Sequence, residues 1–155
     1  MADVRKLLRP RWFAIGVILI FAALQLKTVD RSNPPVQSDI GTSPEIKEIL
    51  RRACYDCHSN ETRWPWYSYI APMSWFVAGH VDHGRGHLNY SEWPTFDLDE
   101  QEHLFEEMWE VLSEGEMPLR SYTLIHWDAR LTEDERSMLL EWVRPGSTES
   151  EGDGG

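Results

Sequence analysis

The two cysteines of this chain stand three positions apart and are followed at once by a histidine: Cys54-Tyr55-Asp56-Cys57-His58. With only 2 cysteines in 155 residues, a disulfide-dense scaffold is excluded. So is a zinc or iron–sulfur centre built on four thiolates. C-x-x-C-H is the spacing of covalent c-type haem attachment. Two thiols on one turn can each form a thioether with a vinyl group of the same porphyrin, and the adjacent histidine then falls under the iron as proximal ligand. Two other chemistries use such a pair. A thioredoxin-like dithiol wants a strand before the motif and a helix after it; here a helical pattern precedes it and no strand pattern is visible. A zinc site needs two more good ligands, and there is no second cysteine pair.

The formal net charge is −11, from 15 Lys and Arg against 26 Asp and Glu. A general nucleic-acid binder needs a basic face, so that class is excluded. The charge is unevenly placed. Residues 1–31 carry six basic and two acidic side chains, a net +4, and the remainder carries −15. Between the basic residues lies Trp12–Leu26, apolar except for Gln25, and extendable to Val29 if Lys27 snorkels. A bilayer span takes roughly 20 residues, with a lower limit of about 17. Residues 1–29 are therefore expected to be an uncleaved signal anchor, a single N-terminal transmembrane helix, with a cleaved signal peptide as the alternative. The basic residues before the apolar run keep the N-terminus cytoplasmic. The expected localisation is the cytoplasmic membrane, single-pass, with the C-terminal domain in the periplasm or outside.

Residues 30–43 are polar and proline-broken, and read as a linker. Residues 44–144 form the expected haem-binding domain, and 145–155 a disordered acidic tail. Within the domain every pattern is helical. Thr42 or Ser43 caps a helix whose apolar residues Ile46, Ile49, Leu50 and Ala53 lead into Cys54. Ser74 opens a second helix over 75–88, weakened by Gly79, Gly84 and Gly86. Asp97 or Thr95 starts a third, stopped by Gly115, and Thr132 to Glu135 is a capping box for the last. The expected class is all-α: a small cytochrome-c-like helical domain behind the N-terminal transmembrane helix.

A stable haem electron carrier has a sixth ligand. Met117, in Gly115-Glu116-Met117-Pro118-Leu119, is the best candidate, on a loop stiffened by Pro118. Met73, Met108 and Met138 read as packing. The rival ligands are His80 and His126. His80, His83 and His87 fall at helical spacing, which suits a solvated face or a surface metal site. Trp64, Trp66, Tyr67, Tyr69 and Trp75 are expected either to cover a haem or to fill core. Arg85 is expected to pair with a propionate, or with Asp82 or Glu92.

The stretch from Cys54 to Trp75, with Arg63-Trp64-Pro65-Trp66-Tyr67, resembles the bacterial haem-binding domain family of membrane-anchored, mono-haem cytochrome-c-like proteins. Gly84-Arg85-Gly86-His87-Leu88-Asn89-Tyr90-Ser91-Glu92-Trp93 is similar to that family's second signature. Met117-Pro118-Leu119 with Tyr122, His126, Ala129 and Leu131-Thr132 is similar to its third. The resemblance covers about 45–143. It implies one haem c per chain on Cys54 and Cys57, His58 as proximal ligand, and Met117 opposite.

The expected activity is one-electron transfer rather than enzymatic turnover. A haem-based sensor and a five-coordinate, peroxidase-like enzyme with His126 as acid–base group are the alternatives. The expected partners are the membrane, through the anchor, and redox proteins. Residues 97–116 carry nine acids and no Lys or Arg, a face for a basic redox partner or simply a solvated helix.

Overall fold

A computed structural model describes residues 10–145. Over these residues the chain forms seven α-helices and three short 3-10 turns, with no strand beyond an isolated bridge between Ser38 and Glu92. The all-α expectation holds. Two compact units are present among the described residues: 10–32 with 64–80, and 33–63 with 81–145.

The first unit contains α1 (Pro10–Leu24), a 3-10 turn (Trp66–Tyr69) and the start of α4 (Met73–His87). Helix α1 buries none of its side chains. The 15 residues described make about 22 Å of helix, against a hydrocarbon core of about 30 Å. Among the described residues no helix is long and apolar enough to cross a membrane. The expected transmembrane helix therefore has no support from the described residues. The apolar run does not stay helical to Val29, because Gln25 turns its side chain back to the Phe21 carbonyl and also bonds both backbone groups of Ala71. Residues 1–9 and 146–155, with most of the expected acidic tail, lie outside the described residues.

The second unit is built from α2 (Pro44–Ala53), α3 (Tyr55–His58), the end of α4, α5 (Leu98–Ser113), α6 (Arg120–Thr123) and α7 (Glu133–Trp142). Three of the four expected helix starts follow the sequence; α4 instead begins at Met73, so Ser74 lies inside it rather than capping it. Ser43 accepts from the Ile46 N–H, with Pro44 tolerated in the first turn. Asp97–Glu100 and Thr132–Glu135 form reciprocal capping boxes on α5 and α7. Gly115 ends the α5 segment at φ 71°, a backbone conformation that glycine adopts freely. The apolar faces of α2, α5 and α7 close one core around Leu50, Leu104, Met108, Leu112, Leu139 and Val143.

The stretch read as a linker takes part in this unit. Ile40 is buried in the core, and the Gln37 and Ser38 amides donate to the Ser91 carbonyl. Its polar composition hides this, because a backbone bond and one apolar residue suffice to hold it.

Leu139 is 1 % exposed at the centre of the core. Leu139→Ala is expected to cost about 2–5 kcal/mol of unfolding free energy, measured by urea denaturation.

Candidate functional site

The site begins where α2 ends. The Cys54 amide still donates to the Leu50 carbonyl, and the Cys57 and His58 amides both return to the Cys54 carbonyl at 3.1 and 2.9 Å. Cys54, Cys57 and His58 therefore share one tight turn, as their spacing requires. Part of each cysteine surface remains exposed, yet the sulfurs sit deep. Burial pushes the Cys54 thiol up to about 12, helped by Cys57 and opposed by Arg52 and a hydrogen bond from Tyr90. Burial and then Asp56 push Cys57 up to about 11. Both are neutral thiols at physiological pH, unlike the low-pKa cysteine of a dithiol redox enzyme.

His58 Nδ1 lies 3.1 Å from the Leu88 carbonyl oxygen. A carbonyl only accepts, so Nδ1 carries the hydrogen and the Nε2 lone pair is left free. Burial holds the imidazole below its ordinary pKa, against the pull of the Leu88 and Gly84 carbonyls and with the help of His87 and His83. A neutral, oriented imidazole with a free Nε2 has the chemistry of a metal ligand.

The segment 84–91 holds this turn from outside. Gly84 lies directly against Cys57: a Cβ there would meet the Cys57 carbonyl oxygen at 2.7 Å. Arg85 reaches past the motif, its Nε donating to the Ser59 carbonyl and its Nη2 to Asn33 Oδ1 and Thr62 Oγ1. These three acceptors are uncharged. Leu88 supplies the carbonyl for His58, Asn89 Nδ2 donates to Asn60 Oδ1, and the Tyr90 amide donates to the His58 carbonyl. The ring of Tyr90 stacks on Tyr55 at 5.2 Å.

Both residues between the cysteines are anchors. The Tyr55 hydroxyl donates to Asp39 and accepts from Lys47 Nζ at 3.0 Å; Lys47 also pairs with Asp39. Burial raises the Asp39 carboxyl, but hydrogen bonds from Lys47 and Tyr55 outweigh it and leave the pKa low. Asp56 is buried and accepts three kinds of bond. They come from the Arg63 amide at 3.0 Å, the Arg63 guanidinium, and the Tyr122 hydroxyl at 2.7 Å. Burial, then the Asp56 carboxylate, raise the Tyr122 phenol well above its usual range.

The Tyr122 bond ties the motif to the segment after Met117. Arg52, two residues before Cys54, makes a second tie: its guanidinium donates to the Asp128 and Arg130 carbonyls and pairs with Glu135. Met117 is half-buried, its amide donating to the Val111 carbonyl at the end of α5. Five residues on, the Tyr122 hydroxyl bonds Asp56 of the motif.

The other expected residues are dispersed. His126 is half-buried and stacks on Tyr122 at 4.3 Å. His83 and His87 are exposed, with ring centroids 4.4 Å apart. His80 belongs to the first unit, where Nδ1 bonds the Phe76 carbonyl; Trp64, Trp66, Tyr67, Tyr69 and Trp75 belong there too. His103 faces Glu107 on α5. Among the described residues no group of three or more His, Cys, Asp or Glu is arranged to hold a metal ion. Sequence reasoning missed Arg52, Asp56 and the hydroxyl of Tyr122. Their only sequence signal is their place beside or inside recognisable motifs.

A family model described as a haem-binding domain matches residues 14–145, and the chain belongs to that family. No curated protein and no solved structure matches it. The residues present fit a haem: a buried histidine, its Nδ1 bonded to the Leu88 carbonyl, shares one turn with two thiols.

Gly84→Ala is expected to cost about 1–3 kcal/mol, because the added methyl meets backbone that cannot swing away; thermal unfolding of the chain measures it. His58 makes the haem-free chain pH-sensitive. Its folded pKa is depressed, so below the unfolded value of about 6.5 the unfolded histidine takes a proton that the folded one refuses. Stability falls as pH drops from there to the folded pKa. Urea midpoints at neutral and mildly acidic pH should show that loss, and His58→Gln should reduce it.

Proposed function

From that membership we infer that Cys54 and Cys57 tether one haem c per chain through two thioethers, with His58 Nε2 as proximal iron ligand and Met117 as the sixth. The observation that carries this reading is the His58 Nδ1 bond to the Leu88 carbonyl, which leaves Nε2 as the ring nitrogen for a metal, on the same turn as both thiols. A haem bound there supplies an iron that passes between the ferric and ferrous states.

The surrounding residues support such a group. Neutral, buried thiols resist ionisation and wait beside the ligand histidine. Tyr122 and Arg52 hold the chain on either side of Leu124, Ile125 and Trp127, which are 75, 55 and 79 % exposed. These are flat or branched apolar surfaces suited to covering a porphyrin. Met117, fixed between Val111 and the Tyr122 tether, offers a thioether, the ligand type that raises a haem potential. With both axial positions filled, no substrate pocket is needed, and one-electron transfer is the activity that follows.

The location we propose is the outer face of the cytoplasmic membrane. The +4 leader before a −15 remainder supports export of the domain, and the exposed apolar surface of α1 supports membrane attachment. The acidic face of α5 suits a basic redox partner. A second reading leaves the iron open to a small ligand or peroxide, with His126 as an acid–base group; its half-burial against Tyr122 favours it.

Denatured, purified chain should keep its haem absorption, and Cys54→Ser with Cys57→Ser should abolish it. Met117→Ala should remove the sulfur-to-iron band and lower the reduction potential; an unchanged spectrum would exclude Met117. Carbon monoxide should leave the reduced wild-type spectrum unchanged. A rapid shift would favour the open-iron reading instead.

A further inference from the structure

In the first unit, the loop after residue 64 is laid against the residues that follow α1. Gln25 bonds both backbone groups of Ala71, at 2.9 and 3.3 Å. Trp75 Nε1 donates to the Lys27 carbonyl at 3.0 Å, and Arg31 Nη1 donates to the Ser68 carbonyl at 3.3 Å. The Lys27 ammonium lies 5.3 Å from the Trp75 ring, and the Arg31 guanidinium 4.5 Å from the Tyr69 ring. The loop is therefore fixed at the level where the apolar run gives way to charge.

That loop turns apolar side chains outward. Trp66 is 76 % exposed, Tyr69 58 %, Phe76 51 %, Met73 40 % and Ile70 39 %. A soluble unit of this size has no reason to show five such residues within eleven positions. Helix α1 is likewise apolar and exposed on every side, with Phe13 at 72 % and Ile20 at 64 %. Tryptophan and tyrosine favour the headgroup zone of a bilayer, where one end of the ring is apolar and the other wet. Lysine and arginine at the same level lay their stems on apolar surface and present charge to lipid phosphate. An apolar helix shorter than the bilayer core depends on flanking anchors of this kind.

We propose that residues 66–76 form an aromatic collar that docks on the lipid headgroup zone of the bilayer holding α1, with Lys27 and Arg31 directed to the lipid phosphates. The collar is a second membrane contact, separate in sequence from α1, and it rests on the membrane attachment inferred above. It assigns Trp66, Tyr69 and Phe76 to lipid rather than to the haem.

The test uses the full, haem-loaded chain in vesicles of phosphatidylcholine and phosphatidylglycerol that contain a phospholipid with a photoactivatable headgroup. Vesicles are floated on a density gradient and irradiated, and cross-linked peptides are identified by mass spectrometry. The expected result is flotation with lipid adducts on residues 66–76 as well as beside α1. Trp66→Ser with Phe76→Ser should still float and should lose the 66–76 adducts. Flotation with adducts confined to residues 10–31 overturns the collar and leaves membrane attachment standing. Failure to float overturns both. The haem-free chain with Cys54→Ala and Cys57→Ala should carry the same adducts. Adducts on 66–76 in the haem-free chain alone would give this surface to the haem and overturn the proposal.

Discussion

The backbone of Cys57 and the backbone at Gly84 lie so close that a single added carbon would fall 2.7 Å from the Cys57 carbonyl oxygen. That approach brings the end of α4 onto the cysteine turn. Once the two are in contact, the following residues fall into place by chain geometry. Arg85 reaches Ser59, the Leu88 carbonyl arrives at His58, and Asn89 and Tyr90 bond the far side of the turn. The glycine also weakens the helix it sits in. The chain accepts a poorer helix in order to place a carbonyl opposite an imidazole.

The second group of constraints acts from the other direction. Asp56 and Arg52 draw in the segment after Met117 through Tyr122 and through the carbonyls of residues 128 and 130. Buried carboxylates are costly unless their oxygens are occupied. Asp56 meets that requirement with a local amide and guanidinium and one distant phenol. Removing any distant partner would therefore loosen a contact far along the chain while leaving the cysteines in their turn.

What was legible in the sequence follows from how local each signal is. Ser43, Asp97, Thr132 and Gly115 act on backbone within four residues, so the helix ends could be read directly. The cysteine–histidine spacing is equally local. Asp56 occupied a position that the motif leaves free, and its partner Tyr122 is 66 residues away. No periodicity announces such a pair. Arg85 was matched with a carboxylate because charge is the long-range term a reader can see; its bonds to a backbone oxygen, an amide oxygen and a hydroxyl carry no such signal. The apolar run at 12–26 was judged by composition, and composition does not register that Gln25 ends the helix by bonding Ala71. Residues 30–43 were judged by their prolines and polar side chains, although Ile40 belongs to the core.

Tyr55 and Asp56 change what the pentapeptide means. One faces the core and the Asp39–Lys47 pair; the other gathers Arg63 and Tyr122. The two intervening letters thus orient the two thiols, each by a different set of neighbours. Transplanting C-x-x-C-H into another helix would carry over the ligands but not their direction. In this chain the two thiols and the imidazole share five residues with the two side chains that anchor them, so drift at the middle positions would loosen the turn without touching a cysteine or the histidine.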